Sequence, residues 1–339
     1  MPSDQPDLKF LHTTSKDEHK MRKLISAITG VMLLSACSIA TGKYEVLTYK
    51  SYTTDSFAQI FNGSYVSKSH VMHDVRLWMP DDLDQPLPVI VMQHGLGSPK
   101  KYGKWLDIAL PAYLSAGFAV AMNDSYSARK MQHPKRLSFS ARVLDNIMLF
   151  NELVKDRRFD RENINIQGFS YGGMVAYHMA YVAYQPLLNG TWNSHLSMYG
   201  ACDVILEDNQ MTGAPVLMYL ASGEDYQSND DCSRYKEQIG GFEIYVLEGS
   251  FHGFALDHDV EYGEDSGSFI NCDTGPQNTI SKDGTWKYNK KTWSGSYADI
   301  IAGIWNDCRS FGSTTGGSRE TRIQAAADSI TFFKRHVSP

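Results

Sequence analysis

The chain has 339 residues, of which 42% are apolar and 21% are charged, and its formal net charge is -6. This length allows one large domain or two small ones, and the composition excludes a disordered chain, a collagen-like repeat and a multi-span membrane protein. Five cysteines are too few for a small disulfide-stapled scaffold, and the mild acidic excess argues against a nucleic-acid partner.

An export signal is predicted at residues 1–36. The apolar run at 24–36 follows a basic segment at 20–23 and is shorter than the roughly 20 residues that cross a bilayer. It ends in LSAC, which resembles a bacterial lipobox, and Met21 is an alternative start. We therefore expect lipidation at Cys37 and an exported lipoprotein that is anchored to a membrane, facing the periplasm or the cell surface. The alternative is a buried N-terminal helix that ends in a free cysteine.

Strands and helices are predicted to alternate along most of the remaining chain. Residues 43–80 favour antiparallel strands, because apolar residues partly alternate at the end of that segment. A short, continuous apolar run at 88–92 then indicates a strand buried on both faces. Further strands are predicted at 118–122, 164–166, 196–199, 216–220 and 242–247. Helices are predicted at 105–116, 138–155, 174–184, 234–239 and 320–336. This alternation is typical of an α/β fold with a mostly parallel central sheet and helices on both faces.

Residues 257–318 break the alternation and are rich in Gly, Ser, Asn, Asp and Trp. An irregular segment of this length inside a domain is usually a lid or a binding loop. We therefore predict a single domain at 37–339 that carries an insertion at 257–318. Three aromatic residues of the insertion form either a carbohydrate-stacking patch or part of a satellite core; they are Trp286, Trp293 and Tyr297.

A nucleophilic serine is predicted at Ser170. The segment GFSYG at 168–172 matches G-x-S-x-G and lies between a β-compatible run and a helix-compatible run. That order is the strand–turn–helix setting of a nucleophile elbow, in which small neighbours permit a strained turn at a helix N-terminus. The alternative is an ordinary glycine-rich βα turn in which Ser170 only caps the helix.

A serine hydroxyl becomes a useful nucleophile when a base takes its proton, and in such folds an acid and then a histidine follow the serine. His252 lies in a Gly-flanked loop after the last predicted sheet strand, which favours it over His258 and His336 as the base. The acid is expected in the loop after the preceding strand, where we prefer Asp225 and keep Glu224 as the alternative. A structural interpretation is that both carboxylates only begin the next helix.

Two backbone N–H groups are expected to hold the developing oxyanion. One belongs to Tyr171, the residue after the serine, and the other to Leu96 in the loop QHGLG after the strand at 88–92. Gly95 is the alternative second donor. His94 lies at the wrong place in the chain for the base and is expected to pack or hydrogen-bond under this loop.

The segments PVIVMQHGLGS, GFSYGGM, ASGED and SFHGF together resemble the α/β-hydrolase superfamily and, within it, the dienelactone hydrolase family. The resemblance covers roughly residues 70–256 and the last helix. It implies an α/β-hydrolase fold and a serine hydrolase that cleaves a small-molecule carboxylic ester or related acyl bond through an acyl-enzyme, with no metal or organic cofactor. Members that open dienelactones use a cysteine nucleophile, so the resemblance does not imply dienelactone as the substrate.

Two other functions are compatible with these motifs. A prolyl-oligopeptidase-type peptidase shares the catalytic core, although the segment before the hydrolase-like region is too short for the propeller domain of that family. A non-catalytic surface lipoprotein on this scaffold would be expected to have lost a triad residue, and none is missing. Three lysines after the loop QHGLG either attract an anionic substrate or form a solvated face; they are Lys100, Lys101 and Lys104.

Four cysteines remain after Cys37, and an exported chain folds where disulfides form. None of the four lies in a C-x-x-C motif, which argues against a zinc site. Four cysteines can pair in three ways. We predict the sequence-neighbour pairs Cys202–Cys232 and Cys272–Cys308, with four reduced buried thiols as the alternative.

Overall fold

The computed structural model describes residues 43–81, 85–131, 137–272 and 278–337. All of these ranges belong to one structural unit, Gly42–Pro339. The predicted signal segment and Cys37 lie outside the described residues. Within the described ranges, no helix has both the length and the hydropathy needed to span a membrane.

A mixed eight-stranded sheet forms the centre of the unit. In chain order its strands are β1 (Glu45–Tyr52), β2 (His70–Trp78), β3 (Leu87–Gln93), β4 (Ala119–Asn123), β5 (Phe159–Phe169), β6 (Ser194–Met198), then, after the short separate strand β7 (Ile205–Leu206), β8 (Val216–Ala221) and β9 (Glu243–Leu247). The spatial order is β1-β2-β4-β3-β5-β6-β8-β9. Strand β2 is antiparallel to both neighbours, and the strands from β4 to β9 are parallel. This strand order confirms the predicted α/β-hydrolase fold.

Seven α-helices connect or flank the strands in the described part of the chain. They are α1 (Phe57–Phe61), α2 (Gly103–Ser115), α3 (Phe139–Leu153), α4 (Tyr171–His178), α5 (Asp230–Ile239), α6 (Tyr297–Cys308) and α7 (Arg319–His336). The chain leaves α-helical geometry earlier than predicted after α4, because Val182–Leu187 forms a 3₁₀ turn that contains Pro186.

The middle strands of the sheet are buried on both faces, whereas the edge strands β1 and β9 carry exposed residues. On β3, Val89 and Val91 join one apolar cluster with α3 and α4, whereas Ile90 and Met92 join another with α2 and α7. Successive strand side chains point to opposite faces, so an apolar run without alternation is what two covered faces require.

The insertion is more regular than predicted. Strands β10 (Glu261–Ser268) and β14 (Ser310–Thr315) pair antiparallel across it. The short strands β11 (Thr279–Ile280), β12 (Trp286–Tyr288) and β13 (Lys291–Trp293) form a small sheet with β7. Strands of two or three residues are too short to produce a periodic pattern in sequence.

Two disulfides confirm the predicted cysteine pairing. Cys202–Cys232 ties the loop after β6 to α5, and Cys272–Cys308 ties the end of α6 to the segment after β10. The second bridge lies wholly within the insertion.

Candidate active site

Ser170 occupies a sharp turn between β5 and α4. Its backbone has φ 52° and ψ -120°, a strained conformation for a residue with a side chain, and its hydroxyl makes no capping bond to α4. The turn requires glycine nearby, because a Cβ at Gly168 would lie 1.8 Å from the carbonyl oxygen of Gly172. These features are those of a nucleophile elbow rather than of an ordinary helix cap.

A hydrogen-bonded relay runs from Ser170 through His252 to Glu224. The Ser170 Oγ lies 2.9 Å from His252 Nε2, and His252 Nδ1 lies 3.0 Å from Glu224 Oε2. The side chains of His252 and Glu224 are 8% and 1% exposed, so little water competes for these contacts. The structure therefore brings the predicted serine and histidine together and adds a carboxylate behind them.

That carboxylate belongs to Glu224, and the preference for Asp225 was wrong. The Asp225 carboxylate instead accepts hydrogen bonds from the backbone N–H of Thr314, at 2.8 and 3.0 Å, and from its hydroxyl, at 2.8 Å. The two acids are neighbours in one loop, and their side chains leave it toward different partners. The sequence alone offers no signal for this choice, because Thr314 approaches Asp225 only once the insertion is folded.

Aromatic rings fix the orientation of the His252 imidazole. The Tyr226 ring stacks on it with centroids 4.4 Å apart, and the Tyr199 ring meets it edge-on at 5.2 Å. The rival histidine His258 lies elsewhere, with its Nδ1 3.4 Å from Glu261.

The two predicted oxyanion donors lie beside the serine. Tyr171 is the first residue of α4, where a backbone N–H has no acceptor within the helix. Leu96 lines the same cavity as Ser170 and Tyr171. The N–H of Gly95, the alternative donor, is already bonded to the Tyr102 hydroxyl at 3.0 Å. The geometry thus favours Leu96 over Gly95.

Hydrogen bonds to its carbonyl oxygen hold the peptide that carries the Leu96 N–H. Its carbonyl oxygen, that of Gly95, accepts hydrogen bonds from His94 Nδ1 at 2.8 Å and from Arg142 Nη2 at 3.1 Å. In a trans peptide the N–H points opposite to the C=O, so these bonds turn the Leu96 N–H away from Arg142. A charged donor on the carbonyl also polarises the peptide and strengthens its N–H as a donor.

Arg142 is fully buried, and its guanidinium lies over the rings of Tyr126 and Tyr171, at 5.4 and 5.1 Å from their centroids. Burial and the nearby Arg142 cation lower the pKa of His94 to about 3, so its imidazole is neutral. The backbone N–H of Ser125 donates to His94 Nε2 at 3.2 Å, which leaves the proton on Nδ1. The expected role of His94 under the loop agrees with this geometry. Its contact with Arg142 joins segments that are far apart in the chain, so no local pattern in the sequence predicts it.

A cavity opens beside Ser170, and the insertion forms much of its wall. The aromatic side chains that the insertion contributes are Phe269, Trp286, Tyr288, Tyr297 and Trp305. Trp286 and Tyr297 are only 5% and 7% exposed, so they form an inner wall rather than an exposed carbohydrate-stacking patch. No group of three or more His, Cys, Asp or Glu suited to a metal ion occurs among the described residues.

Several solved structures of esterases and dienelactone hydrolases are similar to this chain. Est1E from Butyrivibrio proteoclasticus is 12% identical over 56% of this chain and 88% of its own, with a TM-score of 0.43. Esterase 2 from Thermogutta terrifontis is 15% identical over 64% of this chain and 87% of its own, with a TM-score of 0.47. A dienelactone hydrolase from Anabaena variabilis is 14% identical over 63% of this chain and 90% of its own, with a TM-score of 0.44.

No protein-family model matches the chain, and no curated protein matches it in sequence. Similarities this distant carry no argument about substrate, which has to come from the residues of this chain.

Proposed function

We propose that the protein is a serine hydrolase that cleaves carboxylic esters through an acyl-enzyme. The observation that carries this proposal is the relay from Ser170 Oγ to His252 Nε2 at 2.9 Å and from His252 Nδ1 to Glu224 Oε2 at 3.0 Å. The triad is then Ser-His-Glu rather than the Ser-His-Asp expected from the sequence.

In the first half-reaction, Ser170 Oγ attacks the ester carbonyl while His252 Nε2 takes the hydroxyl proton. Glu224 holds the imidazole in the tautomer that accepts at Nε2 and stabilises the imidazolium that forms. The N–H groups of Tyr171 and Leu96 bind the negative oxygen of the tetrahedral intermediate. Its collapse breaks the ester C–O bond, and the alcohol leaves with the proton from His252.

In the second half-reaction, His252 removes a proton from water, and the resulting nucleophile attacks the acyl carbon. The intermediate collapses with Ser170 as the leaving group, which regains the proton from His252. The acid product departs, and the enzyme returns to its starting state with no redox change and no cofactor in the cycle.

The nucleophile assignment is tested by labelling with a fluorophosphonate probe and by hydrolysis of a series of p-nitrophenyl esters. We expect labelling and hydrolysis in the wild type and neither in Ser170→Ala. Ser329→Ala, which alters another buried hydroxyl that donates to the Ala325 carbonyl within α7, is the matched control and should still be labelled. Undiminished labelling of Ser170→Ala would exclude this serine. Peptide p-nitroanilides in the same assay separate an esterase from a peptidase, because a peptidase would cleave them in preference to the esters.

We also propose that the protein is exported and anchored through a lipid on Cys37. The sequence pattern supports this, and the two disulfides are compatible with an oxidising compartment. Globomycin, which blocks lipoprotein signal cleavage, should make the unprocessed form accumulate. Normal maturation in its presence, or membrane attachment of a Cys37→Ser variant, would contradict the proposal.

A further inference from the structure

The wall of the cavity beside Ser170 is mostly aromatic and aliphatic, with Gln227 as a neutral polar residue and a single charged one. This residue is Asp203, in the loop after β6. Among the described residues that line the cavity, no other is an Asp, Glu, Lys, Arg or His. The lysines considered for an anionic substrate do not line the cavity, and Lys104 Nζ lies 3.5 Å from Asp259. The electrostatic character of the pocket is therefore set by a carboxylate.

Only one of the two oxygens of the Asp203 carboxylate accepts a hydrogen bond. Its Oδ2 accepts a hydrogen bond from the Tyr288 hydroxyl at 2.8 Å, whereas its buried Oδ1 has no hydrogen-bond partner among the described residues. Burial raises the pKa of this carboxyl, as expected where no cation compensates it. A buried acceptor without a partner is costly to a fold, and a ligand that supplies the partner recovers that cost.

The surroundings of Asp203 suit a positive group. The side chains of Tyr226, Trp286, Tyr288 and Trp305 line the same cavity. Aromatic rings attract cations through their electron-rich faces, an attraction that strengthens when the cation is desolvated. A neutral hydroxyl could donate a hydrogen bond to Oδ1 but would not balance the charge of the carboxylate, whereas a protonated amine does both.

We propose that this cavity is a subsite for a protonated amine, and that the ester substrate carries such an amine on the part of the molecule that enters it, with Asp203 as the acceptor. The proposal rests on the proposed function, since it assigns the substrate class of the same site. The ammonium group would donate to Asp203 Oδ1 while the Tyr288 hydroxyl continues to donate to Oδ2. The cavity would discriminate against substrates that carry a carboxylate at this end, because like charges repel in a site with little water.

The test compares pairs of p-nitrophenyl esters whose acyl chains end either in a dimethylammonium group or in the isosteric isopropyl group, over a short series of spacer lengths. A hydrogen bond to a charged group contributes about 1.5–3 kcal/mol. We therefore expect the wild type to favour the ammonium ester in kcat/KM by about 10- to 100-fold at the best spacer length. Esters that end in a hydroxyl form a third arm and should not share this preference.

Asp203→Asn keeps an oxygen that can accept from Tyr288 but removes the charge. We expect it to abolish the preference for the ammonium ester. Asp208→Asn removes an equal charge at an exposed site paired with Lys282 and should keep the preference. If Asp203→Asn lowers the rates for both esters by the same factor, Asp203 is structural and the proposal is wrong.

Equal wild-type rates for the ammonium and isopropyl esters at every spacer length would also overturn the subsite, while hydrolysis that depends on Ser170 would leave the proposed function intact. Calorimetric titration of Ser170→Ala with the same esters measures the preference without turnover. It decides the matter even if the esters are not hydrolysed: tighter binding of the ammonium ester supports the subsite, and equal binding overturns it.

Discussion

Replacing Glu224 and Asp225 one at a time by their amides should have different effects: the exchange at Glu224 should lower activity, and the exchange at Asp225 should lower stability. Glu224→Gln keeps the shape of the side chain, but its amide group can donate a hydrogen bond to His252 Nδ1. That contact favours the tautomer whose proton sits on Nε2, which can no longer accept the proton of Ser170. In a serine protease triad the same acid-to-amide exchange costs about 10⁴-fold in kcat, or about 5 kcal/mol of activation free energy. We expect a loss of this order, because His252 and Glu224 are 3.0 Å apart and shielded from water.

Asp225→Asn should act on stability instead. The Asp225 carboxylate accepts from the N–H and the hydroxyl of Thr314, and the amide retains only one acceptor oxygen. Loss of one charge-assisted hydrogen bond lowers the free energy of unfolding by about 1.5–3 kcal/mol, while kcat should change by less than about tenfold.

Both variants are assayed by steady-state hydrolysis of p-nitrophenyl acetate and by urea unfolding monitored by circular dichroism. Glu224→Asp is a useful third variant, because its carboxylate is one methylene too short to keep the contact with His252, and it should fall between the wild type and Glu224→Gln. The reasoning is refuted if Asp225→Asn loses activity by the larger factor while Glu224→Gln stays active.

Three further predictions concern the surroundings of the relay. Arg142→Met should lower kcat by about 10²-fold with little change in KM, and it should weaken the binding of a boronic acid inhibitor by a similar factor. Arg142→Lys should recover part of both losses. A change confined to KM or to thermal stability would contradict a role of Arg142 in positioning the Leu96 N–H. Burial lowers the pKa of three buried histidines to about 3 or 4; they are His94, His178 and His195. In the folded state these side chains therefore stay neutral at pH values well below the ordinary histidine pKa. The unfolded chain binds these protons first, so stability present above about pH 6.5 should fall as the pH drops toward 4, by up to about 1.4 kcal/mol per pH unit for each histidine; a flat urea midpoint between pH 6.5 and 5 would exclude this. Replacement of both Cys272 and Cys308 by serine opens a loop with a sequence separation of 36 and should lower the free energy of unfolding by about 4 kcal/mol. It should also raise KM more than it lowers kcat, because α6 lines the cavity. An unchanged KM would mean that the cavity wall keeps its shape without the disulfide.

The sheet was predictable because its strands carry a strong signal. A strand such as β3 is buried on both faces, so its residues form a continuous apolar run that stands out from the polar segments around it. The serine was predictable for a related reason. A strained turn between a strand and a helix accepts few residues other than glycine beside the nucleophile. These glycines are close neighbours of the serine in the chain, so a short sequence pattern reveals the turn.

The remaining parts of the site depend on contacts between distant segments. Glu224 and Asp225 are adjacent and chemically alike, and only the approach of Thr314 from the insertion decides which of them is left for His252. Arg142 belongs to α3, far along the chain from the Gly95 carbonyl that it contacts. The insertion itself uses strands too short for a periodic pattern, so its role as a cavity wall appears only after folding.

The contacts of strand β14 limit how the insertion can change between related proteins. Thr314 holds the Asp225 side chain, and the N–H of Gly316, directly after the strand, donates to the backbone carbonyl of His252 at 2.9 Å. The segment that ends the insertion thus contacts both loops that supply the relay, while other residues of the insertion line the cavity. Exchange of this insertion between related proteins would alter catalytic rate together with substrate range, unless the donors at Thr314 and Gly316 were transferred with it. Under the proposed function, substitutions in α6 and the small sheet would change the cavity wall alone, whereas substitutions in β14 would also disturb the loops that hold the relay.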